Sequence, residues 1–165
     1  MRWRAAAIVL CATIGLLWGG CSWICPKPPP LFPVDLCLHS DAQAQMFRGK
    51  AHSLYVRVYP LTLADVFNST DPNALLADPP PNLTGSSGTP QSRMLNPGSA
   101  EKLSFDAKEG QTFAFLGIVA GYYDPKGPVK QLVKVEDLRS GSCYTVEFGP
   151  SGITGGAPAP TPKGK

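Results

Sequence analysis

The sequence predicts a mainly β protein: a β-sandwich with a small helical insertion. Short segments with apolar residues at every second position, such as residues 34–38, recur along the chain between turns rich in proline and glycine. The 18 prolines, 17 glycines and 16% charged residues are typical of short strands joined by many turns. A chain of 165 residues has the size of one domain with a modest core.

Seven segments carry the strand signal, and one carries a helical signal. The predicted strands are residues 34–38, 54–59, 93–95, 102–105, 112–123, 131–135 and 143–148. Residues 112–123 form the most apolar run after the N-terminal segment, which predicts a central buried strand. Residues 62–77 have helical spacing in parts; Thr62 or Asp71 is a candidate cap, and Pro72 suits a first helical turn.

Charge and motifs argue against nucleic-acid binding and catalysis. The formal charge is +3, of which Arg2 and Arg4 lie in the N-terminal segment, and no basic block is present. His39 and His52 are predicted to be ordinary surface residues, because neither belongs to a metal-binding motif. Residues 149–153, GPSGI, lack the final glycine of a nucleophile elbow. We therefore predict no catalytic residue, no metal and no cofactor.

The N-terminus has the order of parts of a secretory signal. Residues 1–4 are positively charged, residues 5–17 are apolar, and Gly19 and Gly20 precede Cys21. The apolar run is too short to span a bilayer comfortably. Residues 1–20 are therefore predicted to be a cleaved signal peptide.

Cys21 after two small residues resembles the lipobox of bacterial lipoproteins, although Trp18 stands where an aliphatic residue is usual. The resemblance implies a lipid on Cys21; an incidental thiol after an ordinary signal is the alternative. Ser22, rather than Asp, follows the cysteine, which by the same resemblance favours the periplasmic face of the outer membrane, held there by acyl chains in the bilayer. Residues 21–33 contain PKPPP, which predicts a semi-rigid tether.

Three further cysteines, Cys25, Cys37 and Cys143, would lie in an oxidising compartment, so one thiol is left over. In the predicted strands Cys37 and Cys143 both point away from the apolar face, and a bond between them is one possibility. A bond between Cys25 and Cys143 is the other, because the tether has the necessary reach.

Four short patterns follow one another along the chain: YVRVYPL at residues 55–61, the spaced residues Phe67, Asp71, Leu75 and Asp78, LNPG at residues 95–98, and LGIVAGYYD at residues 116–124. In this order they resemble the type VI secretion lipoprotein family, TssJ (SciN/VasD-like). There are departures: Asp41-Ala42 replaces a frequent Asn-Pro, Tyr123 replaces a frequent Arg, and the aromatic residue that usually opens the next strand is missing.

The resemblance implies a transthyretin-like β-sandwich, here residues 34–153. The proline, glycine and lysine content of the last segment predicts a disordered tail at residues 154–165. It implies no catalysis, and a partner: the periplasmic domain of the TssM-type inner-membrane protein. In the family the loop between the first two strands contributes to that contact. Here the loop is residues 40–50, whose candidate partner-binding residues are Asp41, Gln43, Gln45, Met46, Phe47 and Arg48.

Two questions stay open at this point. Phe47 and its neighbours have the composition of an interface, but Phe47 is equally expected to fold back over the sandwich edge. The alternative function is a free-standing periplasmic or surface lipoprotein whose β-sandwich binds a ligand.

Overall fold

A computed structural model describes residues 33–106, 113–138 and 143–158. The described strands, in chain order, are β1 (Val34–Ser40), β2 (Met46–Phe47), β3 (Lys50–Ala51), β4 (Leu54–Leu61), β5 (Gln91–Leu95), β6 (Ala100–Phe105), β7 (Phe115–Gly121), β8 (Lys130–Lys134), β9 (Cys143–Phe148) and β10 (Ile153–Pro158). Two α-helices, α1 (Asp65–Ser69) and α2 (Pro72–Leu76), follow β4, and a 3₁₀ turn (Val135–Asp137) follows β8. Each strand predicted from the sequence corresponds to one of these elements.

Two four-stranded sheets, in the orders β10-β9-β1-β6 and β5-β4-β7-β8, enclose the main core. In the first sheet β1 pairs antiparallel with β6 and parallel with β9, while all pairs in the second sheet are antiparallel. The period-two pattern of β1 is confirmed, because Val34, Leu36 and Leu38 are all buried between the sheets. The packed sheets and the helical insertion confirm the predicted fold class.

A second apolar layer lies on the outer face of the second sheet, under α1 and α2. Its buried members are Tyr59, Leu61, Phe67, Leu75, Leu83 and Val119. Gly117 permits this packing, since a Cβ there would approach the Phe67 ring to 2.8 Å. Asp71 caps α2 by accepting a hydrogen bond from the Asn73 N–H at 2.8 Å, and Pro72 occupies its first turn. We call this face with its two helices the helical side.

Two cations attach the helices to the sheet. Arg57, only 3% exposed, donates to the carbonyl oxygens of Leu75 and Ala77 at 3.0 and 2.6 Å, at the end of α2. Lys130 Nζ donates to three carbonyl oxygens at the end of α1, at 2.8 to 3.2 Å. The last carbonyls of a helix have no partner within the helix, so these side chains supply the missing donors.

The first sheet extends past the predicted domain end. Residues 154–158 were expected to begin a disordered tail, but they belong to β10, which pairs antiparallel with β9. The segment TGGAP has little strand propensity of its own, and pairing with β9 determines its conformation. The signal peptide, the tether up to residue 32 with Cys21 and Cys25, and residues 159–165 lie outside the described residues.

A disulfide joins Cys37 to Cys143 across the neighbouring strands β1 and β9. Their Cα atoms are 5.7 Å apart, and the bond links positions 106 residues apart in sequence. Of the two pairings that the sequence left open, the structure therefore forms the one between strands.

Candidate functional site

The segment between β1 and β4 lies at the end of the sandwich opposite to the start of β1. At one end Val34 pairs with Phe105; at the other the Ser40 N–H donates to the Ser99 carbonyl and the Asp41 N–H to the Phe148 carbonyl, both at 2.9 Å. The seven residues of β1 separate the two ends by about 20 Å. We call residues 41–53 the hairpin end, since they contain β2 and β3.

The hairpin has local causes in its sequence. Asp41 opens the segment with a turn in which its carboxylate accepts the Gln43 N–H at 2.6 Å. β2 and β3 pair antiparallel across a two-residue turn, Arg48-Gly49, and both turn residues have positive φ, of 50° and 75°. Positive φ at both central residues is the requirement of a type I′ hairpin turn. The predicted loop is thus an ordered hairpin.

Gln45 fixes the hairpin to the neighbouring segments. Its Nε2 donates to the Ser53 carbonyl at 3.3 Å, and its Oε1 accepts the backbone N–H of Tyr123 at 3.1 Å. Gln45 itself has a φ of 54°, which is rare for a residue with a side chain. These bonds therefore hold a backbone conformation that the residue adopts reluctantly on its own.

Aromatic packing joins the hairpin to the segment after β7. The ring of Phe47 lies 4.3 Å from that of Tyr123 and 6.0 Å from that of His52, measured between centroids. The Arg48 guanidinium lies over the Phe47 ring at 5.2 Å. Phe47 is half-buried, so its ring both contacts the protein and remains partly open to solvent.

Large apolar side chains are exposed at this end. Of the described residues, four large apolar side chains are exposed, and three of them lie here: Met46 (39%), Met94 (54%) and Tyr123 (70%). A cleft of about 450 Å³ is lined by Gln45, Phe47, His52, Ser53, Met94 and Tyr123. Exposed apolar groups of this kind are typical of surfaces that a partner covers.

Tyr122, next to Tyr123, faces the other way and fixes the adjoining loop. Its hydroxyl donates to the carbonyl oxygens of Gly152 and Gly149, at 2.9 and 3.2 Å. Burial raises the pKa of Tyr122 above its ordinary value. A phenol is protonated at neutral pH, so the Tyr122 hydroxyl is a donor that holds the residue 149–152 turn beside this segment.

The predicted candidates have different positions in this geometry. Four of them are exposed: Asp41, Gln43, Met46 and Arg48. Gln45 is half-buried and hydrogen-bonded to Ser53, and the half-buried Phe47 packs on Tyr123. Sequence reasoning missed Met94 and Tyr123, because it assigned both to ordinary strands. Their convergence with Phe47 depends on the pairing of β4 with β5 and β7.

Both α-helices have five residues, and neither is long or apolar enough to cross a membrane. Within the described ranges, no group of three or more His, Cys, Asp or Glu residues is placed to hold a metal ion. A second cleft, of about 410 Å³, lies at the opposite end and is lined mainly by loop and strand-end residues, among them Thr89, Gln91 and Asp106.

A small two-sheet sandwich with a helical side and an exposed apolar end is the class of protein that these observations define. The family model of the type VI secretion lipoproteins VasD, EvfM, TssJ and VC_A0113 matches residues 34–149, well over half of the chain. The chain therefore belongs to this family of type VI secretion lipoproteins, as the resemblance implied. The family is not known as one of enzymes. No curated protein sequence matches the chain.

Solved structures share the fold. The T6SS lipoprotein TssJ1 from Pseudomonas aeruginosa has 24% identity and a TM-score of 0.67, and the match covers 81% of this chain and 100% of that one. A chain of the type VI membrane complex has 19% identity and a TM-score of 0.66, with 76% and 98% covered. A chain described with the T6SS protein TssM C-terminal domain (869–1107) from EAEC has 20% identity and a TM-score of 0.63, with 78% and 98% covered.

Proposed function

We propose that this protein is an outer-membrane lipoprotein that anchors a type VI secretion membrane complex. Its lipidated Cys21 holds it in the outer membrane, and its hairpin end binds the periplasmic domain of a TssM-type inner-membrane protein. Catalysis has no part in this role. The observation that carries the proposal is the exposed apolar hairpin end in a chain whose family match covers residues 34–149.

The position of the hairpin end supports this assignment. A chain anchored at Cys21 enters the sandwich at Val34, and the hairpin end is about 20 Å further along β1. An anchor at one end leaves the other directed towards the periplasm, where the partner's domain would lie.

The composition of the hairpin end also supports partner binding. Phe47 and Met46 supply apolar contact area, and Arg48 lies over the Phe47 ring. Aromatic residues, methionine and arginine are enriched at protein interfaces and among the residues that dominate their binding energy. The hairpin is held by Gln45 before any partner arrives, so binding needs little ordering of the loop.

Calorimetric titration tests the partner role. The protein from Ser22 onward contains all described residues, and it should bind the periplasmic domain of its own organism's TssM-type protein saturably, one to one. Replacing Phe47 and Arg48 together by Ala should weaken binding at least tenfold, because it removes an aromatic anchor and a cation.

Leu63→Ala is the matched control for that titration. Leu63 is also an exposed apolar residue, 56% exposed, but it lies just before α1. This variant should bind as the unchanged protein does. If the unchanged protein fails to bind with both domains folded, the assembly role is wrong, and the alternative of a free-standing ligand-binding lipoprotein takes its place.

Fractionation of cell membranes tests the anchor separately. Cys21→Ser should release the protein from the outer membrane and abolish secretion, because the only predicted acceptor of the lipid is gone. A Cys21→Ser protein that still sediments with the outer membrane would contradict the anchor, whatever the calorimetry shows.

A further inference from the structure

Three separate segments contribute to the apolar surface at the hairpin end. Phe47 comes from β2, Met94 from β5, and Tyr123 from the connection after β7. All three line the cleft of about 450 Å³, together with polar residues that include Gln45 and Ser53. We call Phe47, Met94 and Tyr123, together with the cleft between them, the composite surface.

Met94 has no evident structural reason to be apolar, and Tyr123 has only its ring contact with Phe47. Met94 is 54% exposed on the outer face of an edge strand, and Tyr123 is 70% exposed in a turn. The hydrogen bond that holds this turn to Gln45 uses the backbone N–H of Tyr123, so its side chain is not needed for that bond. A polar residue at either site would leave the sandwich core unchanged, yet both are apolar and adjoin Phe47.

The charged side chains beside the cleft indicate which kind of partner side chain binds next to it. Arg48 on the hairpin turn and Lys50 at the start of β3 are both exposed, and neither lies within salt-bridge distance of a described carboxylate. Asp124, which follows Tyr123 in the chain, is exposed too, while Arg48 and Lys50 make the hairpin locally positive. A partner that brings a carboxylate to that side gains a charge-assisted contact.

We propose that the composite surface, and not the hairpin alone, is the contact site, and that its cleft takes an apolar side chain of the partner's periplasmic domain, with a carboxylate of the partner facing Arg48 and Lys50. This inference rests on the partner role proposed above. It assigns Met94 and Tyr123 as specificity-determining contacts, and it gives the partner a recognisable feature, an apolar residue beside an acidic one.

Methionine methyl NMR tests the composite surface in the unaltered domain. The protein from Ser22 onward has only two methionines of its own, Met46 on the hairpin and Met94 on β5. With ¹³C-methyl methionine, both signals should shift when the partner's periplasmic domain is added to saturation. The Met46 signal reports on the proposed function, and the Met94 signal reports on the composite surface.

The outcomes separate the two proposals. A shift of Met46 with an unmoved Met94 overturns the composite surface and leaves the hairpin as the contact. If neither signal moves and the titration shows no heat of binding, the partner role fails and the composite surface fails with it.

Truncation gives the energetic counterpart. Met94→Ala and Tyr123→Ala should each weaken binding at least tenfold, while Leu63→Ala stays within twofold of the unchanged protein. Raising the salt concentration from 50 to 500 mM should weaken partner binding by the unchanged protein several-fold, because salt screens the contact between Arg48 and the partner's carboxylate. Binding by Arg48→Gln should weaken less, because this variant lacks that charge. Unchanged affinity in either truncation, with the variant still cooperatively folded, overturns the proposal.

Discussion

The helical side and the hairpin end use the same kind of attachment but treat their apolar side chains in opposite ways. On the helical side, Arg57 and Lys130 donate to helix-end carbonyls, and the apolar residues beneath the helices are buried. At the hairpin end, the Gln45 amide bonds two backbone groups, and apolar residues nearby stay exposed. Both segments are thus fixed by hydrogen bonds, but three of the four exposed large apolar side chains among the described residues lie at the hairpin end.

This difference separates stability from function in the molecule. The second apolar layer, beneath the two helices, contributes to folding because its apolar area is already removed from water. The exposed area of Met94 and Tyr123 contributes little to folding and is available to a partner. Variants on the helical side should therefore change the free energy of unfolding, and variants at the hairpin end should mainly change binding.

The largest expected effect contrasts two phenylalanines. Phe67→Ala should lower the free energy of unfolding by about 3 to 5 kcal/mol, because Phe67 is 1% exposed and its ring packs in the second apolar layer against Gly117. Phe47→Ala should cost only about 1 kcal/mol, the size of its ring contact with Tyr123. Urea unfolding of both variants gives the comparison; equal losses would mean that Phe47 is a core residue and would remove the contrast.

An intermediate effect is expected at the buried cation. Arg57→Met keeps an apolar chain of similar length but removes the donors to the Leu75 and Ala77 carbonyls, which should cost about 2 kcal/mol. Lys130→Met should cost less, since Lys130 is only partly buried and water can replace its ammonium. Thermal unfolding of both variants measures the two losses of stability, and a larger loss in the Lys130 variant than in the Arg57 variant would contradict this prediction.

The smallest effect concerns the strained hairpin residue. Gln45→Ala loses the bonds to Ser53 and Tyr123 and should cost about 1 kcal/mol. Gln45→Gly loses the same bonds but tolerates a φ of 54°, so its loss should be smaller than that of the Ala variant. If the Gly variant is the less stable of the two, the left-handed backbone at this site is not strained in the way described.

The fold was predictable because strand periodicity and turn chemistry are local signals. LNPG at residues 95–98, with proline and glycine in the order typical of turns, does form a turn, in which Gly98 has a φ of 72° and the Ser99 N–H donates to the Asn96 carbonyl at 3.0 Å. Arg57 shows the limit of such signals, since its position in an alternating strand predicts a solvent-facing side chain. The helices cover that face, and nothing local in the sequence indicates it.

The candidate site was predictable only in part, for the same reason. The segment of residues 40–50 and its apolar tip were evident from composition, but its hairpin depends on the two positive φ angles of Arg48 and Gly49. Met94 and Tyr123 join it through strand pairing between distant parts of the chain. Local patterns in a sequence do not reveal which distant strands pair, so the composite surface is evident only in the folded structure.

Hydrogen exchange tests whether the partner binds at the hairpin end. Exchange is measured in the protein from Ser22 onward, alone and with the partner's periplasmic domain, without any substitution. Exchange should slow at residues 45–53 and 122–124 and stay unchanged across α1 and α2. Slowing across the two helices with an unchanged hairpin would contradict this prediction and would move the contact to the helical side.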